Sequence, residues 1–450
     1  MSWTTSPRAS CRRSVSLLIA GLCMLFVGSA GAALAQPWSI EVQEVRGQTG
    51  VTAWLVESHA QPVVAVRFSF DGGSMREPQD KRGIASVLAE ALGEGEGAGG
   101  SDELRRRLAG LSATVAFSAG RDSISGSLDA PSSNIEVAAR LVGAQVSSMR
   151  FGSDAVARAS GRSIAALSDM SGNPAVRAED EWYAAAFAGH PYAMSPAGSA
   201  ASLASITPAD LVHFKSRVMT RDRLTVAVAG DIDAARLRRV LDLLFGALPV
   251  SGPHDALPAV RVIAPAEFEA ILPDVPTAGV VFGLEVPRRR DPGYMPALVL
   301  NEIVGGGATS SRLGQALRFR SSLVYDVDSR LISDAHASYL IGQFSTSSTD
   351  AQRAISALKN EFERVVTEGV TEAEVEDAKG YLNGSFPLSF DSSPKIASNL
   401  LAIAQAGLGR DYPEIRRRAI ERVSRDDVNR VASELLRPER LIIAVARGAY

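Results

Sequence analysis

Hydrolytic metal chemistry needs two or more imidazoles, thiolates or carboxylates close enough to share one ion. The five histidines of this chain, His59, His190, His213, His254 and His336, are scattered, and no two fall within one helical turn. Both cysteines, Cys11 and Cys23, lie in the first 35 residues. Gly305-Gly306-Gly307 sits between two helical patterns and lacks the preceding strand and the Lys of a phosphate-binding loop. Arg318 and Tyr325 are strong hydrogen-bond donors. On type and spacing alone, however, they read as a surface ion pair and a ring packed in a strand.

The elements that must position these residues begin after a segment with its own logic. Arg8, Arg12 and Arg13 precede an apolar run over 15–27, then small residues ending in Ala33-Leu34-Ala35. That order is a secretory signal peptide cleaved after Ala35, and the apolar run is too short for a membrane span. Cleavage removes both cysteines and with them disulfides and thiol catalysis. The expected address is a bacterial periplasm, with no membrane association after cleavage. In the whole chain of 450 residues, 47 basic and 50 acidic residues give a net charge of −3, well mixed along its length. Without a basic stripe, and with only 6% aromatic residues, nucleic acid is not an expected partner.

An internal repeat sets the architecture. Ile206-Thr207-Pro208-Ala209-Asp210-Leu211 and Val423-Ser424-Arg425-Asp426-Asp427-Val428 each open a helix at an N-cap Thr or Ser with an acid in the first turn. Each helix leads to an apolar strand, at 223–229 and at 440–446, over the same separation. Strand-like alternation at 62–70 and 277–286 opens the two copies, and helical patterns at 102–112, 134–150, 351–368 and 372–383 fill their middles. The expected fold is α+β: two homologous domains, each a mixed β-sheet covered by helices on one face, facing across a cleft. The expected division is a signal peptide at 1–35, domains at 36–247 and 267–450, and a proline-rich linker at 248–266 between them.

Five blocks now carry a resemblance. Phe70-Asp71-Gly72-Gly73-Ser74, His190-Pro191-Tyr192, Val228-Ala229-Gly230-Asp231 and the stretches 300–313 and 369–386 occur in the order of the insulinase/pitrilysin metallopeptidase family. The resemblance covers nearly all of the expected mature chain and implies the same two-domain α+β architecture. Active members carry His-x-x-Glu-His on one helix, with the two His binding zinc and the Glu acting as base. Here the matching helix reads Gly83-Ile84-Ala85-Ser86-Val87-Leu88-Ala89-Glu90-Ala91. Ser86 and Glu90 stand at the histidine positions and Ala89 at the base. The downstream glutamate position falls near Ala165-Ala166. The resemblance therefore implies no catalytic zinc in this chain, with Glu90 a solvated or paired carboxylate and His190 a structural turn residue.

The second copy departs differently. In the resembling family an Arg and a Tyr seven residues apart reach from the second domain to a zinc site, and Arg318 and Tyr325 match in type and separation. By that resemblance they are the catalytic donors that stabilise the oxyanion of peptide hydrolysis and hold the peptide backbone. Gly305, Gly306 and Gly307 are the corresponding substrate-binding residues, expected in a flexible loop. The chain then resembles a non-catalytic subunit, inactive alone, whose partner bears His-x-x-Glu-His and the zinc. Unfolded peptides are the expected substrate, and homodimerisation of the isolated chain stays open. Two alternatives stand beside it: an inert peptide-binding scaffold, and a stand-alone zinc peptidase with other ligands.

Overall fold

The computed structural model describes residues 40–94, 100–253, 260, 262, 266–273 and 275–449. The expected signal peptide, the centre of the glycine-rich stretch at 93–100 and most of the expected linker lie outside them. Described by itself, the unit from Ile40 onward contains both sheets.

The first half runs β1 (Gln43–Arg46), β2 (Thr52–Glu57), β3 (Val63–Asp71), α1 (Ile84–Glu94), α2 (Gly100–Gly110), β4 (Thr114–Ala119) and β5 (Ser123–Pro131). It continues α3 (Ile135–Ser148), α4 (Ser153–Ser171), α5 (Pro174–Ala186), α6 (Ala200–Ala204), α7 (Pro208–Val218), β6 (Leu224–Gly230) and α8 (Ala234–Phe245). The second half runs β7 (Ala266–Leu272), β8 (Thr277–Glu285), α9 (Tyr294–Asn301), β9 (Val327–Ser333), β10 (Ser338–Ser347) and α10 (Ala351–Glu368). It ends α11 (Glu372–Ser385), α12 (Ser393–Gln405), α13 (Tyr412–Glu421), α14 (Arg425–Leu435) and β11 (Ile442–Gly448).

The repeat is visible strand by strand. The first sheet has the order β1-β2-β6-β3-β5-β4 and the second β7-β11-β8-β10-β9. Apart from β1 the orders superpose, down to one parallel pair in each, β2 with β6 and β7 with β11. The expected start of each copy was one strand late: β2 precedes β3, and β7 precedes β8. The helices α7 and α14 open on equivalent capping boxes, Thr207 with Asp210 and Ser424 with Asp427. Each box satisfies N-terminal N–H groups reciprocally.

Helices were expected on one face of each sheet, yet both faces are covered, because each half lends a helix to the other. On β3, Val64, Val66, Phe68 and Phe70 point into the first core, while Arg67 and Ser69 face α12. There Arg67 Nε donates to Ser398 Oγ at 3.2 Å and Gln405 Nε2 donates to Ser69 Oγ at 2.8 Å. Conversely α5 lies on β8 and β11, and Trp182 Nε1 donates to the Ile442 carbonyl at 3.1 Å. Gly279 and Gly283 make that approach feasible: a Cβ on either would stand 2.5 Å from Ala175 N or from the Trp182 ring.

Around Trp182 the junction is aromatic, with Tyr183, Phe187, Tyr192 and Tyr339 buried together. Polar groups close its edge. Tyr183 and Tyr339 share a 2.9 Å hydroxyl contact, Tyr339 donates to Asp334 at 2.8 Å, and Tyr192 donates to Asp122. Asp122 also accepts the Ala335 N–H at 2.9 Å, which ties the start of β5 to the β9–β10 turn.

Candidate functional site

Helix α1 forms because an apolar run meets a ready N-terminal cap. The carboxylate of Glu77 accepts the N–H groups of Gly83 and Ala85, both at 2.9 Å. Ile84, Ala85, Val87, Leu88, Ala91 and Leu92 bury one broad face in the first core. The other face carries the positions where the family places its metal ligands. Ser86 Oγ donates to the Pro196 carbonyl at 3.3 Å, and Ala89 is buried and apolar.

Glu90 and Glu94 stand one turn apart on α1, opposite Arg158 and Arg162, one turn apart on α4. Arg162 reaches Glu90 at 3.0 Å and also pairs with Glu94, and Arg158 reaches Glu94 at 3.2 Å. The Glu94 side chain is only 6% exposed. Burial would lower the Arg162 pKa, but the carboxylates of Glu94 and Glu90 outweigh it and hold the guanidinium above its ordinary value.

Zinc does not fit this face. Two carboxylates remain, but two guanidiniums already neutralise them, and Ser86 and Ala89 provide neither imidazole nor base. Ala165 and Ala166, on α4 beyond Arg162, add no donor. Among the described residues no group of three His, Cys, Asp or Glu side chains could hold a metal ion. Glu90 is thus a paired helix carboxylate. His190 serves a turn, its Nδ1 accepting the Tyr192 N–H at 3.2 Å.

In the second half, α9 runs into a π-helical turn over Glu302–Gly306. Gly305 is buried, and a Cβ there would lie 2.2 Å from Ser329 Oγ. The stretch expected as a flexible loop is therefore a helical turn that only glycine lets β9 approach. Gly306 and Gly307 are half-buried.

A second π-helical segment follows at Gly314–Arg320, and Ser311 Oγ accepts the Gly314 N–H at its start at 3.1 Å. Leu313, Ala316 and Leu317 anchor this segment in the second core. Its outer side presents Arg318, Phe319 and Arg320. Arg320 is paired with Glu361 at 3.1 Å. Arg318 has no ion pair among the described residues, and its guanidinium carbon lies 5.4 Å from the Phe319 ring centroid. After a left-handed corner at Ser322 (φ 51°), Leu323 and Val324 are buried and Tyr325 is 80% exposed. Tyr325 precedes β9 rather than packing within it. Neither bland alternative, a surface ion pair for Arg318 or a strand-packed ring for Tyr325, describes what is found.

Comparisons with known proteins find likenesses to M16 peptidases and to an inactive homologue. Residues 205–382 match the family model described as the peptidase M16 inactive domain. That match marks a likeness to M16 peptidases over the middle of the chain. An uncharacterized zinc protease of Mycobacterium tuberculosis is 31% identical over 261 residues, 57% of this chain and 59% of that protein. The chain thus matches less than two thirds of that relative's length. The non-peptidase homolog YmxG of Helicobacter pylori is 21% identical over 412 residues, 92% of this chain and 94% of the homolog. Among solved structures, a peptidase M16 inactive domain from Pseudomonas fluorescens shares the fold with a TM-score of 0.85. It is 23% identical, and the match covers 91% of this chain and 98% of that one. The chain is thus similar both to proteins named zinc proteases and to one named a non-peptidase homolog.

Arg158, Arg162 and Glu94 were missed at the level of sequence. Their signal was nonetheless present, as two acids at i, i+4 on one helical pattern and two arginines at i, i+4 on another.

Proposed function

We propose that this chain is the non-catalytic subunit of a two-chain zinc peptidase of the bacterial periplasm, reached through a cleaved signal peptide. In this reading it binds a partner bearing His-x-x-Glu-His, and the partner holds the zinc. Unfolded peptides bind between them, with the half-buried Gly306 and Gly307 lining the peptide's path and the buried Gly305 holding their turn against β9. Hydrolysis of a peptide bond builds negative charge on the carbonyl oxygen. The Arg318 guanidinium and the Tyr325 hydroxyl are donors suited to that oxygen and to the peptide backbone.

One observation carries the reading: two donors stand open to solvent in a segment anchored by buried leucines, while the α1 face is neutralised by its own arginines. An exposed guanidinium and phenol gain little within the monomer, so their value lies in what docks against them.

The test measures peptidase activity of this chain alone, of the His-x-x-Glu-His partner alone, and of the mixture. Activity appearing or rising only in the mixture is the expected result. A mixture no more active than the partner by itself would leave the inert scaffold as the better reading, and turnover by the lone chain would leave the stand-alone peptidase.

A further inference from the structure

A second polar cluster lies away from both faces, where α9, α11 and α13 meet. Arg289, in the loop before α9, has its guanidinium carbon 5.8 Å from the Tyr294 ring centroid. Arg416, on α13, lies 4.3 Å over the Phe386 ring and donates through Nη1 to the Leu382 carbonyl at 3.1 Å, near the end of α11. Tyr294 and Tyr412, the first residues of α9 and α13, are buried.

The charge balance of this cluster is unusual. The ionisable groups that act on Arg416 are Tyr412, Tyr294 and Arg289, and those that act on Tyr412 are Arg289, Tyr294 and Arg416. No carboxylate is among them, and neither Arg289 nor Arg416 makes an ion pair among the described residues. Arg289 Nε is buried without a hydrogen-bond partner. Neither phenol hydroxyl donates to a protein acceptor among the described residues.

Burial without a counter-charge is costly for a cation, and a guanidinium cannot escape by losing its proton at neutral pH. Both arginines also sit beside the N-terminal turns of helices, where the peptide dipoles disfavour positive charge and favour an anion. Elsewhere in this half, the half-buried Arg312 pairs with Glu374 at 2.7 Å and the buried Glu361 with Arg320.

We propose that Arg289 and Arg416, with the hydroxyls of Tyr294 and Tyr412, form a binding site for an oxyanion, a carboxylate or a phosphate. Two guanidiniums offer forked N–H donors to its oxygens, and two phenol O–H groups complete the shell. The site is independent of the subunit reading above. Its ligand comes either from a free or esterified phosphate or from the C-terminal carboxylate of a peptide.

Titration calorimetry on the full chain at fixed ionic strength tests the site with three probes: inorganic phosphate, an N-acetylated peptide with a free C-terminus, and the same peptide amidated. Saturable binding of phosphate alone assigns the phosphate source. Saturable binding of the free-acid peptide, but not of its amide, assigns the carboxylate. In either case Arg289→Gln weakens binding at least about tenfold, consistent with loss of a charge-assisted hydrogen bond. Arg353→Gln, on the surface of α10, leaves it unchanged. Arg416→Gln has the same expected effect as Arg289→Gln; should it unfold the chain through loss of the Leu382 contact, Tyr412→Phe takes its place, with weaker binding expected. No saturable binding of any probe, or binding equal in wild type and Arg289→Gln, overturns the proposal.

Discussion

The α1–α4 face and the segment from Arg318 to Tyr325 hold charged or polar side chains of opposite fate. On the first, Glu90 and Glu94 are met by Arg158 and Arg162, so each charge is answered within the chain. On the second, Arg318 has no ion pair among the described residues and Tyr325 stands in solvent. A face whose charges are closed serves stability. A face whose donors are left open has its use outside the monomer. In the proposed function the former replaces a zinc site, and the latter supplies oxyanion donors to a partner.

That contrast can be broken at either end. The largest expected effect is on folding. The double variant Arg158→Gln/Arg162→Gln leaves the carboxylate of Glu94 buried without a cation and costs about 3–5 kcal/mol, read by urea unfolding. Peptidase activity per folded molecule in the mixture should not change.

Next comes the open face. Arg318→Ala or Tyr325→Phe, each mixed with the partner, lowers kcat about 10²–10³-fold, roughly 3–4 kcal/mol of transition-state stabilisation. Unfolding midpoints should remain within about 0.5 kcal/mol of wild type, because exposed side chains contribute little to folding. A large stability loss with unchanged kcat would exchange the roles assigned to the two faces.

A smaller effect separates the junction of the halves from both faces. Burial, then the charge of Asp122, pushes the Asp334 carboxyl up to about 6 from an ordinary 3.8. Between those values the folded chain holds a proton that the unfolded chain has released. The stabilisation from this group is therefore full below about pH 4 and is lost as pH rises through about 6, on the order of 1–3 kcal/mol. Urea titrations from pH 4 to 7 should show that slope in wild type and a flatter one in Asp334→Asn, in which Tyr339 keeps an acceptor.

The smallest effect sharpens the comparison within one face. Glu90 and Arg162 are both about half exposed, so Glu90→Gln should cost no more than about 1 kcal/mol. Its chemical neighbour Glu94 is the buried member that the arginines serve.

Much of this was legible in the chain. The helix-then-strand spacing from Ile206 to Arg223 and from Val423 to Arg440 announced the repeat, because capping residues and apolar strands are local signals. Ser86, Ala89 and Glu90 were placed at the family's metal-site positions by the resemblance, which the neighbouring blocks carried. The exchange of α5 and α12 could not be read from local signals, since it depends on which sheet receives each helix. It is written only in Gly279 and Gly283, whose need for closeness shows once Trp182 is in place. The π-helical turns at Glu302–Gly306 and Gly314–Arg320 likewise escaped, because a one-residue change in hydrogen-bond spacing leaves little trace in apolar periodicity. Glu94 with Arg158 and Arg162 needed the distance between two helices 64 and 68 residues apart in sequence.

Division of labour between two chains is tested most directly by counting metal. Elemental analysis of the purified lone chain, of the partner and of their mixture should find zinc only with the partner, at one ion per pair, and Glu90→Gln/Glu94→Gln should leave that count unchanged. Stoichiometric zinc in the lone chain, lost on Glu90→Gln/Glu94→Gln, would contradict the account.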